Sequence, residues 1–223
     1  MPLISAQEAA SRLGVNAQRV RALAAQGRLP AHKIANRWLF DSALLHDSEA
    51  RSRSDGRPFA ERHALALLFL ASGEEPGWLS GYDSWRLRRY LPRLTRVVAR
   101  LRSRSRASYF AAPDSLLRRL ISYPNVARSG LSAAEHYGAD ISARNVIEIY
   151  CLQDAAEHLR HRYALREVPE AAANLIIHPI KVPEALAGRR IMPVGVVAAD
   201  LLDSSDSRTR RAGRALLSML AAR

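Results

Sequence analysis

The sequence predicts a mainly α-helical chain with small β elements: a helix-turn-helix and hairpin head, a basic helical middle and an α/β carboxy-terminal part. Three observations carry that expectation. Apolar residues recur at three- and four-residue spacing through much of residues 5–26, 60–121 and 194–222, the period of an amphipathic helix. Strand-like runs are confined to a hairpin near residues 29–40 and to Val146–Leu152 and Leu175–Val182. Between the head and the rest, His46–Pro58 loses apolar periodicity and mixes Ser, Asp, Gly, Arg and Pro, which cannot bury a face and read as a linker. The expected boundaries are 1–45 for the head, 46–58 for the linker, 59–128 for the basic helical region and 129–223 for the α/β domain.

In the head, Ser5 is placed to cap a first helix, with Glu8 completing a capping box, and Ala9, Ala10 and Leu13 fall on one face. Gly14 suits a tight turn, and Asn16 is placed to cap a second helix. On that helix Val20, Leu23 and Ala24 point inward, which turns Gln18 and Ala22 outward and sets Arg19 and Arg21 on the flanks. Gly27 ends it. Leu29–Lys33 and Arg37–Phe40 form a hairpin around Ile34, Ala35 and Asn36, with Asn36 suited to a left-handed turn and Trp38 to the core beneath. A helix of this size fits the DNA major groove, where Gln pairs with an adenine edge and Arg with a guanine edge. Arg28, Lys33 and Arg37 would take phosphates, which fixes register without reading sequence. The candidate DNA-binding residues are Asn16, Ala17, Gln18, Arg19, Arg21, Arg28, Lys33, Asn36 and Arg37. With its Gly14-Val15 turn, its Gly27-Arg28-Leu29-Pro30 run and a basic hairpin reaching Arg37-Trp38, this stretch resembles the winged helix-turn-helix of the MerR and excisionase group. It departs from that group at the wing tip, where Ala35 and Asn36 stand in place of the usual Gly.

Hydrophobic residues make up 48% of the 223, ample for a buried core and too many for a disordered chain. The formal charge of +13 argues for a polyanionic partner. Cys151 is alone, so one chain can build neither a disulfide framework nor a thiolate metal cluster, and a reducing, cytoplasmic setting is expected. No charged-then-apolar leader precedes Ser5, and the longest apolar runs, Ala64–Ala71 and Val194–Ala199, are far short of the ~20 residues of a membrane span. No membrane association is expected.

The charge is front-loaded: +4 over residues 1–60, +8 over 61–128 and +1 over 129–223. Between Arg86 and Arg106 there are nine arginines and no acid. Arg86, Arg89, Arg93, Arg96 and Arg100 recur at helical spacing beside a parallel apolar stripe of Leu87, Tyr90, Leu94, Val97 and Leu101, with Pro92 starting a new helix. Such a run is either a solvated face, a second DNA contact or a docking face for an acidic partner, with Trp78 and Trp85 flanking it.

Further on, a helix capped at Asp114 covers Ser115–Ile121, and a short helix ends near Gly138. Val146–Leu152 reads as a strand, Asp154–Arg162 as a helix, Leu175–Val182 as a strand and Val194–Leu202 as a buried helix. Arg208–Ala222 reads as a helix with Ala212, Ala215, Leu216 and Met219 inward. The Ser-Gly-Leu-Ser-Ala-Ala-Glu-His-Tyr-Gly segment at 129–138, the strands after it, and the Asp-Leu-Leu helix joined by an acidic turn to a basic last helix resemble the AbiEi type of antitoxin. That resemblance implies a winged DNA-binding head, repression of the protein's own operon, and a nucleotidyltransferase-type toxin as partner. Dimeric or cooperative binding is expected because one small head reads few bases.

No residue set assembles into an evident active site, so neither an enzyme nor a cofactor is expected. The Asp-x-Asp pair of a two-metal nucleotidyltransferase is missing. Asp140 and Glu148 come closest to a nuclease pair, but Tyr150 stands where a Lys is needed. His158 and His161 lack a third ligand, Asp200, Asp203 and Asp206 fit a helix end and the next cap, and Cys151 fits a core strand. Two other readings stay open: a non-catalytic protein-binding adaptor, and an excisionase-like recombination directionality factor.

Overall fold

A computed structural model describes residues 3–13, 16–25, 29, 31–34, 37–41, 57–141 and 145–221. Gly14, Gly27, Arg28, Ala35 and Asn36 lie outside the described residues. So do the linker expected over 46–58, except its last two residues, and the packing of the Leu13 side chain. The chain divides into two compact units, Met1–Asp55 and Gly56–Arg223.

In the first unit a short strand β1 (Leu3–Ser5) leads into α1 (Ala6–Leu13), followed by α2 (Ala17–Ala25), β2 (Ala31–Ile34) and β3 (Arg37–Asp41). Both expected caps are present: the Ser5 hydroxyl accepts the Glu8 amide at 3.2 Å, and Asn16 Oδ1 accepts the Arg19 amide at 2.7 Å. The strands form an antiparallel sheet in the order β1-β3-β2, with Ile4 opposite Phe40 and Lys33 opposite Trp38. Its core is Ile4, Ala6, Ala9, Ala10, Val20, Ala24, Leu29 and Phe40. Small residues on α1 let the two helices approach closely over the sheet, and Trp38 packs at the edge of this core. The first helix starts at Ala6, directly after its Ser5 cap, and Leu3–Ser5 pair with β3.

The second unit begins with α3 (Glu61–Ala71), buried continuously from Ala64 to Leu70 and therefore covered all round. The basic run after it does not form one helix. α4 covers Gly81–Arg88, Leu91–Arg93 make a 3-10 turn around Pro92, α5 spans only Leu94–Val97, and Val98–Arg104 is again 3-10. Proline lacks the amide that would continue the ladder and clashes with the turn before it, so the even arginine spacing is interrupted in space. The apolar stripe still faces inward, with Leu87, Leu94, Val97 and Leu101 buried and Tyr90 half-buried.

β4 (Ser108–Ala111), α6 (Asp114–Ile121), β5 (Ala127–Arg128), α7 (Gly130–Ala133), β6 (Ile147–Leu152), α8 (Gln153–Arg162), β7 (Arg166–Glu167) and β8 (Leu175–Ile180) follow. Asp114 is the first residue of α6 and not its cap, since Pro113 holds the cap position without a side-chain bond. The five-stranded sheet runs β5-β6-β8-β4-β7, with β6 and β8 parallel and the other pairs antiparallel. One face packs Phe110, Ile149, Cys151, Leu175 and Ile177 against Leu116, Leu117 and Leu120 of α6 and Leu159 of α8. Residues alternate across a strand, so the other face carries Glu148, Tyr150, His178 and Ile180 toward the layer of α3 and α9 (Val194–Asp203).

The boundary expected at 128/129 does not separate compact units. β4, from the predicted helical region, pairs with β8, and α3 shares a core with α9 and the last helix, α10 (Ser207–Ala221). On α10 the inward residues are Thr209, Gly213, Leu216, Leu217 and Leu220, while Ala215 and Met219, both expected inward, are exposed. The helix turns because Gly213 sits directly on α9: a Cβ there would lie 2.8 Å from the Ala198 carbonyl oxygen. Among the described residues no helix is long and apolar enough to cross a membrane.

Candidate functional site

In the first unit, α2 is pinned by Val20 and Ala24 and by half-buried Leu23, so its opposite side is open. Gln18 and Ala22 fall on that side at helical spacing, Arg19 and Arg21 lie on its two flanks, and all four are exposed. That exposure agrees with the sequence. Two other expected readers have structural duties: Asn16 is occupied as the cap of α2, and Ala17 is half-buried against the core. On the hairpin, Lys33 and Arg37 are exposed, and the Lys33 ammonium lies 5.9 Å from the Trp38 ring centroid, which orients it without cancelling its charge. Ile34, opposite Arg37, is 53% exposed and offers the hairpin end an apolar contact. A helix with an amide and two guanidinium groups outward, beside two cationic strands, matches one reading element and one phosphate-gripping element. Arg28 and Asn36 lie outside the described residues.

The second unit holds a buried polar layer between its sheet and α9 that no local sequence pattern announces. Asp200 of α9 accepts from Arg104 Nε at 2.9 Å and Nη2 at 2.6 Å, from the Tyr150 hydroxyl at 2.9 Å, and from the Ser129 hydroxyl. Arg104 also reaches the Leu101 carbonyl at 3.2 Å and Asp203 at 2.8 Å. Beside it, His178 Nε2 meets Glu148 Oε1 at 2.8 Å and Nδ1 meets the Ser105 hydroxyl at 2.7 Å, while Glu148 Oε2 accepts the Leu131 amide at 3.0 Å. The parallel register sets Tyr150 beside His178, and the rings stack at 4.6 Å and 8°. Asp200, expected at a helix end, is instead buried in mid-layer. Asp206 keeps its expected role, accepting the Thr209 amide and hydroxyl at the start of α10, both at 2.7 Å.

Ligand-type atoms of Glu148, His178 and Asp200 lie within 4.8 Å of one another, the spacing of a metal cluster. Every one of those atoms already has a hydrogen-bond partner, and among the cations of the layer is Arg104, so the arrangement is a closed ion network. Asp140, the expected companion of Glu148, is exposed where Glu148 is buried, and His158 and His161 are exposed on α8. Burial pushes the Cys151 thiol up to about 12, which suits a core residue and not a nucleophile.

Burial opposes a charged imidazole at His178, but the Asp200 carboxylate and the hydrogen bond and charge of Glu148 outweigh both burial and Arg104, and its pKa is raised above 6.5. A group whose folded value is raised stabilises the fold fully below its unfolded value, and that contribution fades as pH climbs through the folded value. Urea midpoints are therefore expected to fall as pH rises above about 6.5, and His178→Gln is expected to flatten that slope. An unchanged slope in the variant would mean that the imidazole is neutral in the fold. The groups facing it are Glu148, Asp200, Arg104, Tyr150 and Ser105.

The helix-turn-helix domain family matches residues 3–48, about a fifth of the chain. No curated protein and no solved structure matches the chain.

Proposed function

We propose that the chain is a sequence-specific DNA-binding transcriptional repressor, the autoregulating antitoxin of a toxin-antitoxin operon. Residues 56–223 would then serve partner binding and oligomerisation without catalysis. The observation that carries the DNA-binding reading is the open side of α2, with Gln18 and Ala22 exposed and exposed Arg19 and Arg21 on its flanks, on a helix capped by Asn16 and anchored by Val20 and Ala24. The finer antitoxin reading is supported by the resemblance of segments 129–141 and 198–212, which lie together in the second unit through the Ser129 to Asp200 hydrogen bond. A nucleotidyltransferase-type toxin and a second copy of the chain are the partners this reading implies. The closed state of the polar layer supports the absence of catalysis.

Gel-shift on the DNA upstream of the protein's own reading frame tests this. A discrete complex is expected, and Gln18→Ala with Arg21→Ala is expected to weaken it by about 1–3 kcal/mol for each base edge left unread, with little change on scrambled DNA. A salt-labile smear indifferent to both substitutions would favour the adaptor reading instead. A discrete complex confined to phage attachment-site DNA would favour the recombination factor.

A further inference from the structure

The structure sorts eight of the nine arginines of the acid-free run into two groups, the ninth, Arg106, being exposed past the last 3-10 turn of that run. Arg88 is paired with Glu75, Arg102 with Asp203, and Arg104 with Asp200 and Asp203. Arg100, expected on the open edge, is withdrawn: its guanidinium lies 4.5 Å from the Phe59 centroid and 5.6 Å from that of Tyr90, and its Nε donates to the Arg57 carbonyl at 3.0 Å. Arg86, Arg89, Arg93 and Arg96 remain exposed, with no carboxylate partner among the described residues. They belong to α4, the turn after it and α5, the stretch that buries Leu87, Leu94 and Val97 on its other side.

Two neighbouring features reinforce the set. Tyr82 and Trp85 of α4 are 66% and 58% exposed and stack on one another at 6.0 Å and 26°. The Arg86 guanidinium lies 5.7 Å from the Tyr82 centroid, a contact that orients the cation while leaving its charge unneutralised. α10 packs on α5 and on the Leu91–Arg93 turn, contains no acid, and carries exposed Arg211 and Arg214. Unneutralised guanidinium groups exposed on one short stretch of chain add up to a positive potential, which draws a polyanion that can release its own counterions on binding.

We infer that Arg86, Arg89, Arg93 and Arg96 form a second nucleic-acid surface on residues 56–223 that grips the phosphate backbone of duplex DNA without reading bases. It rests on the repressor reading only for the supply of that duplex, which α2 would select. The surface adds affinity and salt dependence, and specificity stays with the head.

The test uses the full chain and a mixed-sequence duplex, with affinity followed by fluorescence anisotropy between about 50 and 200 mM salt. The triple variant Arg89→Ala, Arg93→Ala, Arg96→Ala is expected to flatten the plot of log affinity against log salt by about 0.9 for each phosphate no longer neutralised, about three in all. The matching triple Lys variant, which keeps the charges, should retain the slope and guards against a folding artefact. A slope unchanged in the Ala variant overturns the inference and leaves the surface to another occupant, such as an acidic protein. Equal flattening in the Ala and Lys variants overturns it as well, since the charges would not be what matters. The double variant Gln18→Ala, Arg21→Ala keeps the two readings apart: it removes preference for the protein's own upstream DNA if the head reads sequence, whatever the slope of the triple variant does.

Discussion

Asp200→Ala is expected to lower the unfolding free energy of residues 56–223 by about 3–5 kcal/mol, the usual cost of removing one partner from a buried ion pair. Arg104 is 2% exposed and keeps only Asp203 as a counter-charge once Asp200 is gone. The Tyr150 and Ser129 hydroxyls lose their acceptor in the same step. Folded domains have only about 5–15 kcal/mol in hand, so the variant should be marginal at 25 °C. Asp200→Asn keeps the acceptor oxygen without the charge and should fall between the two. Replacing both charges, as Arg104→Met with Asp200→Leu, should cost less than Asp200→Ala alone, because a buried pair exchanged for apolar groups is often close to neutral. It should still cost something, since an unsatisfied buried hydroxyl is worth about 1–3 kcal/mol. Urea unfolding of these variants beside the unsubstituted chain checks the ranking, and a drop under about 1 kcal/mol for Asp200→Ala would show that Arg104 is content without it.

A polar layer of this kind adds little net stability over an apolar one, so its place in the fold needs another reason. α9 is apolar over nearly its whole length, so few groups along it beyond the Gly195 amide on Ser72 and the two carboxylates Asp200 and Asp203 can select its register on the sheet. Asp200 accepts hydrogen bonds from Arg104 after α5, Ser129 after β5 and Tyr150 on β6, and those bonds exist in one register alone. The layer thus fixes where α9 sits, and through α9 where Gly213 lets α10 dock.

The head is legible in the sequence because its determinants are local. Two caps within three residues of their targets, a helical apolar period and a hairpin of basic and aromatic residues each leave a mark in a short window, and together they place Gln18, Arg19, Arg21, Lys33 and Arg37 at the surface. The same holds for β6, α8, β8 and α9. What escapes is set by partners far along the chain. β1, β4, β5 and β7 span two to four residues each, too few for an alternation to show, and exist because a longer strand lies alongside. The ion network draws on residues 104–105, 129, 148–150, 178 and 200, five segments with no shared spacing. Arg104 in particular continues the three-and-four rhythm of its exposed neighbours and is indistinguishable from them until Asp200 is seen against it. The inward face of α10 is hidden because its centre is Gly213, a residue with no apolar side chain to register in any periodicity.

Gly130→Ala is the other change expected to threaten the second unit, and its effect should depend on a single distant side chain. Gly130 has φ +46°, where a residue with a Cβ is disfavoured by about 1–2 kcal/mol. That Cβ would also fall on the Glu148 carboxylate, far inside van der Waals distance of Oε2 and Cδ, so the carboxylate must leave. Moving it takes the counter-charge from His178 and the acceptor from the Leu131 amide, both held within a buried layer. Backbone strain and the broken pair together make a cost of about 4–7 kcal/mol. Gly138→Ala is the control: its φ of +72° is equally left-handed, but nothing lies within 4 Å of the added Cβ, so only the conformational cost of about 1–2 kcal/mol should appear. Glu148→Ala supplies the decisive comparison. It destabilises on its own, yet it removes the atoms that the new methyl meets, so adding Gly130→Ala to it should cost no more than Gly138→Ala does. Non-additivity of that size between residues 130 and 148 is the signature of direct contact. Gly130→Ala and Gly138→Ala variants with equal urea midpoints would mean that the loop, and not the carboxylate, gives way.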